Sequence, residues 1–244
     1  MFELTICLSF ERQKFLSDFY KSVAPSIKKD AGIIIKHNSN NKSYVSIAVE
    51  EAKKEYIKSK VLDFIVFVIE NDFKYNFFKN MIEVKSKSKL SEAFLRAISN
   101  FDEEIDREVI KENLEFNGEI VVESLFYFKL QNLVSRWEKT ALIINQNLIM
   151  NNESSMSEVL RYLCAVSENN SVFVDIFLTE KQIELKNFII HKKFKMNSDG
   201  ISKMFAEIIN LNPIKINIRE KDGQEFKEIT STLLKVFCDK IYFI

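Results

Sequence analysis

The residues of this chain that could carry chemistry are two histidines, three cysteines and two runs of like charge. His37 abuts a polar stretch, Asn38 to Asn41, and His191 opens the run His191-Lys192-Lys193-Phe194-Lys195. Histidine titrates near neutrality and could serve as a base. However, no serine, cysteine or carboxylate stands beside either one in a pattern that would make a nucleophile and its base, so both read as surface residues. The basic run, with its one aromatic, could grip phosphates or an acidic partner. His191, Lys192, Lys193 and Lys195 are therefore the candidate interaction patch, with a solvated loop as the plainer alternative. Lys85, Lys87 and Lys89 alternate with serine and carry the same two readings as a linker. The acidic run Asp102-Glu103-Glu104 with Asp106 suggests a metal or acid–base site. On a helix these residues point around the axis instead of converging, and Glu103 can pair with Arg107 four residues on. The expectation is a solvated helix face. Cys7, Cys164 and Cys238 are odd in number and lack metal-ligand spacing. They read as small apolar fillers in a reducing cytoplasm.

Composition narrows the options further. Lys plus Arg equals Asp plus Glu at 35 each. That balance argues against nucleic acid as a partner, because such binding rests on neutralising phosphates. The apolar fraction of 46% supports a real core. With glycine only at 32, 118, 200 and 223, no phosphate-cradling glycine loop and no nucleophile elbow can be drawn. No cofactor or metal is implied. The longest apolar run, residues 64–69, falls well short of the ~20 residues that cross a bilayer, and the start of the chain lacks the basic flank of a signal peptide.

Positioning elements follow from periodicity. Phe126, Leu130, Leu133, Val134, Trp137, Ala141, Ile144 and Leu148 recur at steps of three and four, which predicts one long amphipathic helix with Trp137 on its apolar stripe. Asn151 to Ser154 ends it, and Ser155 with Glu158 has capping-box spacing for a second helix over Met156, Val159, Leu160, Leu163 and Cys164. Glu168 to Ser171 closes that helix. Alternation over 172–178 and 182–186 predicts a hairpin across Thr179-Glu180-Lys181. Earlier in the chain, residues 2–10 read as a strand entering a helix that stops near Pro25, and 32–35 and 44–49 as two more strands. Residues 50–69 and 90–113 read as helices, the latter with Phe94, Leu95, Ile98, Phe101, Ile105 and Val109 in register. A short strand is expected at 120–122. After the hairpin come a helix from Ser198, a strand 214–218, a turn at Asp222-Gly223, a helix 225–237 and a closing strand 240–244. The strand 214–218, the helix and the closing strand favour a parallel pair joined by a right-handed crossover.

The fold class expected is α+β. A central helical bundle is flanked by a small N-terminal βαββ unit and by a C-terminal β-hairpin plus βαβ-like unit. The corresponding segments are 1–50, 51–118, 119–166 and 167–244, making one or two compact domains.

The segment Leu125-Phe-Tyr-Phe-Lys129-Leu130, then Glu158-Val-Leu-Arg161-Tyr162-Leu and the strand pair, resembles the YtxC-like family of sporulation proteins. The family has phenylalanine at the first of these positions and arginine where Lys129 stands. The run from Leu211 to Ile218 and the helix 229–237 are similar to the family's closing strand and helix. The resemblance implies a role in endospore formation without naming a reaction. The reading is a cytoplasmic, non-enzymatic interaction or structural protein that binds a protein partner or itself and spans no membrane. Two alternatives stand beside it: an enzyme or small-molecule binder with a pocket that includes His37 or His191, and a nucleic-acid binder acting through Lys192, Lys193 and Lys195.

Overall fold

The computed structural model describes residues 1–83, 89–146, 153–166, 172–188, 190–220 and 226–244. Leu148, the lysine–serine stretch at 85–88, the breaks at 151–152 and 168–171, and the Asp222-Gly223 turn lie outside the described residues. The fold is α+β. The chain begins with β1 (Phe2–Ser9), α1 (Gln13–Lys29), β2 (Ile33–Ser39), β3 (Lys42–Val49) and α2 (Lys54–Val68), which runs through a π-helical turn (Ile69–Lys74) into α3 (Tyr75–Met81). Next come α4 (Lys89–Asn100), α5 (Glu103–Asn113), β4 (Gly118–Val121), α6 (Val122–Ser124), a second π-turn (Leu125–Lys129), α7 (Gln131–Gln146) and α8 (Glu153–Val166). The chain ends with β5 (Phe173–Leu178), β6 (Gln182–Lys186), β7 (His191–Lys195), α9 (Ser198–Leu211), β8 (Lys215–Glu220), α10 (Phe226–Phe237) and β9 (Ile241–Phe243).

The chain divides into two compact units, each of two segments. The first holds Met1–Lys74 and Asp102–Glu138, the second Tyr75–Phe101 and Lys139–Ile244. The helices in the middle of the sequence are thus shared between the units.

In the first unit the strands run β2-β3-β1-β4, with β1 antiparallel to β3 and parallel to β4. One face is apolar: Leu4, Ile6, Leu8, Val45 and Ile47 are buried, and so are Leu16, Phe19, Val23 and Ile27 of α1, which lies along β2 and β3. Phe19 stacks on Phe64 of α2 at 4.5 Å between ring centres. The helix does not stop at Pro25, as the sequence suggests, but runs through it to Lys29. Burial of Val23, Ala24 and Ile27 on either side outweighs the one lost hydrogen bond. Asn38 and Ser39 belong to β2, so the loop is a two-residue turn of Asn40 and Asn41, both left-handed (φ 49° and 58°), the conformation a tight hairpin demands.

In the second unit the order is β7-β6-β5-β8-β9, with β5–β8 and β8–β9 parallel and the rest antiparallel. The expected hairpin is present. It closes without glycine because the Thr179 hydroxyl donates to the Gln182 carbonyl at 2.7 Å. Val174, Ile176, Leu178, Ile183, Leu185, Ile216 and Ile218 form a buried face. Against it stand α9, beside β6 and β7, and α10, beside β9; α4 and α8 back α9.

Three helix expectations change. The helix over 90–113 breaks into α4 and α5 at Asp102, whose φ is 67°. Downstream of the break the register rotates: Phe101 and Ile105 are exposed, and Asp106 with Ile110 faces inward. The long central helix is interrupted by the second π-turn and by non-helical Leu130. Four successive apolar residues, Leu125 to Phe128, cannot share one α-helical stripe. The wider turn buries Leu125 and Phe126 and leaves Tyr127 and Phe128 outside. Finally, α8 starts at Glu153, so Ser155 lies within the first turn and does not cap it.

Candidate functional site

Each sheet has one face covered by helices and one more open, that of the first sheet closed around the buried Cys7, and the open face of the second sheet gathers most of the chemistry. Side chains alternate along a strand, so the open face takes every second residue. Phe173, Asp175 and Phe177 project from β5, Gln182, Glu184 and Lys186 from β6, His191, Lys193 and Lys195 from β7, Lys215, Asn217 and Arg219 from β8, and Tyr242 from β9. Register lines these up in rows across the sheet. One row reads Tyr242, Asn217, Asp175, Lys186, His191, and the next Arg219, Phe177, Glu184, Lys193. Phe173 and Tyr242 are about half exposed, at 49% and 50%.

The aromatics and cations touch. Lys215 lies over the Tyr242 ring at 4.3 Å, and Lys186 and Arg219 lie over Phe177 at 4.8 and 5.3 Å. Glu184 gathers four partners, with Lys186 Nζ at 2.7 Å, the Gln182 amide nitrogen donating at 2.8 Å, and both Lys193 Nζ and His191 Nε2 at 3.2 Å. Hydrogen bonds from Lys186 and then Lys193 hold its carboxyl down to about 2, so it stays charged throughout the neutral range. Asn217 Nδ2 donates to Asp175 Oδ1 at 2.8 Å. Among the described residues, five lysine and arginine side chains thus share the face with two carboxylates, each of which is already engaged.

The predicted patch is therefore not a solvated loop. It is the edge strand β7, and the strand divides it: His191, Lys193 and Lys195 join the open face, and Lys192 points the other way, pairing with Glu207 of α9 at 2.6 Å. The end of β7 is fixed by Gly200, since a Cβ there would stand 2.1 Å from the Lys195 carbonyl oxygen. The Asn197 side chain caps α9 by accepting from the Gly200 amide at 2.8 Å. His37 is exposed on the open face of the first sheet, stacked on Tyr44 at 4.8 Å. That face has a different character, with Ile33 and Ile35 largely exposed beside Ala48, Ser46 and Thr5.

A second group lies inside the first unit. Asp106, expected on a solvated face, is only 2% exposed and sits 2.6 Å from the Nζ of Lys74, itself 2% exposed. Trp137 Nε1 donates to the same Asp106 oxygen at 3.2 Å. Arg107 pairs with Asp63 of α2, not with Glu103. Glu70, on the first π-turn, is 2% exposed, and its Oε1 has no hydrogen-bond partner among the described residues. Burial, followed by the charge of Glu103, pushes its carboxyl up to about 8. Around the group, Phe73 meets Phe126 at 4.5 Å, Phe126 stacks on Trp137 at 5.9 Å, and Arg12 lies over Phe73 at 4.4 Å while binding Asp72 at 2.5 Å. Trp137 thus lies in the core of the first unit, with Leu130 and Leu133. A protonated acid beside a lysine–carboxylate pair could transfer protons, but each of the three side chains is only 2% exposed. Two cavities of the first unit, of about 290 and 440 Å³, are lined by none of Glu70, Lys74 and Asp106, and by neither histidine.

Among the described residues, no three His, Cys, Asp or Glu side chains are placed to hold a metal ion. Likewise no helix is long and apolar enough to cross a membrane. Cys7 and Cys164 are buried free thiols, and burial pushes that of Cys164 up to about 11. The aromatic residues around the second π-turn and in α8 divide between core and surface: Leu125 and Phe126 are buried, while Tyr127, Phe128 and Tyr162 are exposed. Lys129 pairs with Glu115 at 2.7 Å, and Arg161 donates to the Lys235 carbonyl at 2.7 Å. Comparison with protein-family models, with curated proteins and with solved structures finds no match to this chain.

Proposed function

We propose that this chain is a non-enzymatic interaction protein, acting in spore formation as its resemblance to the YtxC-like family implies, and that it binds through the open face of the second sheet. The observation that carries the reading is that face: aromatic rings half in water, ordered in register and flanked by cations. Exposed aromatics and arginine are the groups that anchor interfaces. The ionisable cluster around Glu70 is sealed, which supports a structural role for it. The buried thiols of Cys7 and Cys164 support a reducing, cytoplasmic working place.

The test is genetic. Deleting the gene in a spore-forming host that carries it should lower the count of heat-resistant spores. Wild-type protein should restore the count, and the double variant Phe173→Ala/Tyr242→Ala should not. Normal counts after deletion would overturn the sporulation role. Full rescue by the double variant would overturn the assignment of the binding surface.

A further inference from the structure

We infer that the open face of the second sheet binds single-stranded RNA. This rests on the reading of that face as the interaction surface and names its partner. Whole-chain neutrality argues against nucleic acid only if charge is evenly spread, and here it is not: among the described residues, five lysine and arginine side chains share one sheet face with two carboxylates, both already held by neighbours. The residual charge is positive, and Lys195 on the edge strand β7 and Lys215 and Arg219 on β8 carry it.

Ring placement supplies the second half of the argument. Phe173 and Phe177 are four residues apart on β5, roughly 13 Å at the strand rise, and Tyr242 lies two strands over, roughly 10 Å at the strand spacing. Those spacings suit separate bases of a splayed single strand, each resting on its own ring, whereas a duplex keeps its bases stacked inside. A base settling on Phe177 or Tyr242 displaces the cation that lies over that ring, and the displaced cation is then beside the phosphates that flank the base. The choice of RNA comes from an acceptor. Gln182 donates its amide nitrogen to Glu184 at 2.8 Å, which leaves its carbonyl oxygen among the cations to accept from a ribose 2′-hydroxyl, where deoxyribose has nothing to donate.

Fluorescence anisotropy with a short labelled oligouridylate tests this, with oligothymidylate, duplex RNA and a polyglutamate peptide as the other arms. The single-stranded RNA should bind most tightly. Its affinity should fall roughly 10- to 50-fold between about 50 and 200 mM salt, as expected for three or four phosphates engaged. Phe173→Ala and Tyr242→Ala should each weaken binding about tenfold, with circular dichroism unchanged because both side chains are half exposed. Glu184→Gln releases two lysines, so it should tighten binding and steepen the salt response, an effect that damage to the fold would not produce.

The inference is overturned by no binding at low salt, by tighter binding of any other arm, or by affinity that the ring substitutions leave unchanged. Spore counts with the double variant separate the two readings. A spore defect without RNA binding overturns the RNA assignment alone. RNA binding with full rescue by the double variant overturns the sporulation role of the face alone.

Discussion

Glu70 is a carboxyl that the fold keeps protonated in neutral solution. Its folded value of about 8 lies well above the ordinary 4.5, so between those values the folded chain holds a proton that the unfolded chain has lost. Stability should therefore be highest below about pH 4.5 as far as this group is concerned, decline as pH rises to about 8, and level off above, by on the order of 4–5 kcal/mol in all. Glu70→Gln keeps the shape and removes the titration. Urea unfolding of wild type and variant at acid and at alkaline pH should show that slope vanish, with the variant the more stable of the two at high pH. A slope identical in both proteins would contradict the account. Lys74→Met would leave Asp106 buried without its cation and should cost about 3–5 kcal/mol, measurable in the same experiment. None of this trio was legible in the sequence. Asp106 stood in an acidic run whose other members do face water, and Glu70 and Lys74 lay at the end of an apolar helix where nothing marked them as inward. What buries Asp106 is the break at Asp102, and a lone aspartate with positive φ leaves little trace in a one-dimensional pattern.

Elements show where periodicity serves and where it fails. The hairpin of β5 and β6, the strand β4 and the parallel pair β8–β9 could be read from alternation and from the spacing of apolar residues. The strand β7 could not, because four of its five residues are charged or titratable and strand signals depend on apolar alternation. An edge strand can be this polar, since charges there discourage pairing with other chains. The turn formers at 38–41 marked a loop, but its bounds were too wide, because Asn38 and Ser39 pair within β2. At Asn40–Asn41 both residues are left-handed, and Asn41→Gly should stabilise the first unit by about 0.5–1 kcal/mol, seen as a raised midpoint in thermal unfolding. The opposite is expected at Gly200, where an added methyl meets the Lys195 carbonyl. Gly200→Ala should destabilise by about 1–3 kcal/mol and loosen β7, read as faster amide exchange in residues 191–195.

At the scale of the whole molecule, the two open sheet faces act as built-in controls for one another. One is lined by isoleucine and small side chains, the other by rings and cations, although the chain as a whole is neutral. A composition averages over both, which is why the α+β class and the absence of phosphate loops were readable while the charged face was not. The basic residues came into view as a run of neighbours in sequence; the face itself draws on five strands, and only pairing unites them.

The division of the chain also bears on its biosynthesis. The helix α4, with Phe94, Leu95 and Ile98 on its buried side, belongs with α9, which begins about a hundred residues later. At translation rates of about 5–20 residues per second, α4 waits on the order of 5–20 s for that partner to leave the ribosome. A nascent chain stopped near residue 138 would carry every segment of the first unit and a stranded, sticky helix from the second. It should pellet on centrifugation, and replacing Phe94 and Ile98 with serine should return it to the supernatant. In the growing cell, that interval is when a chaperone would have most to hold.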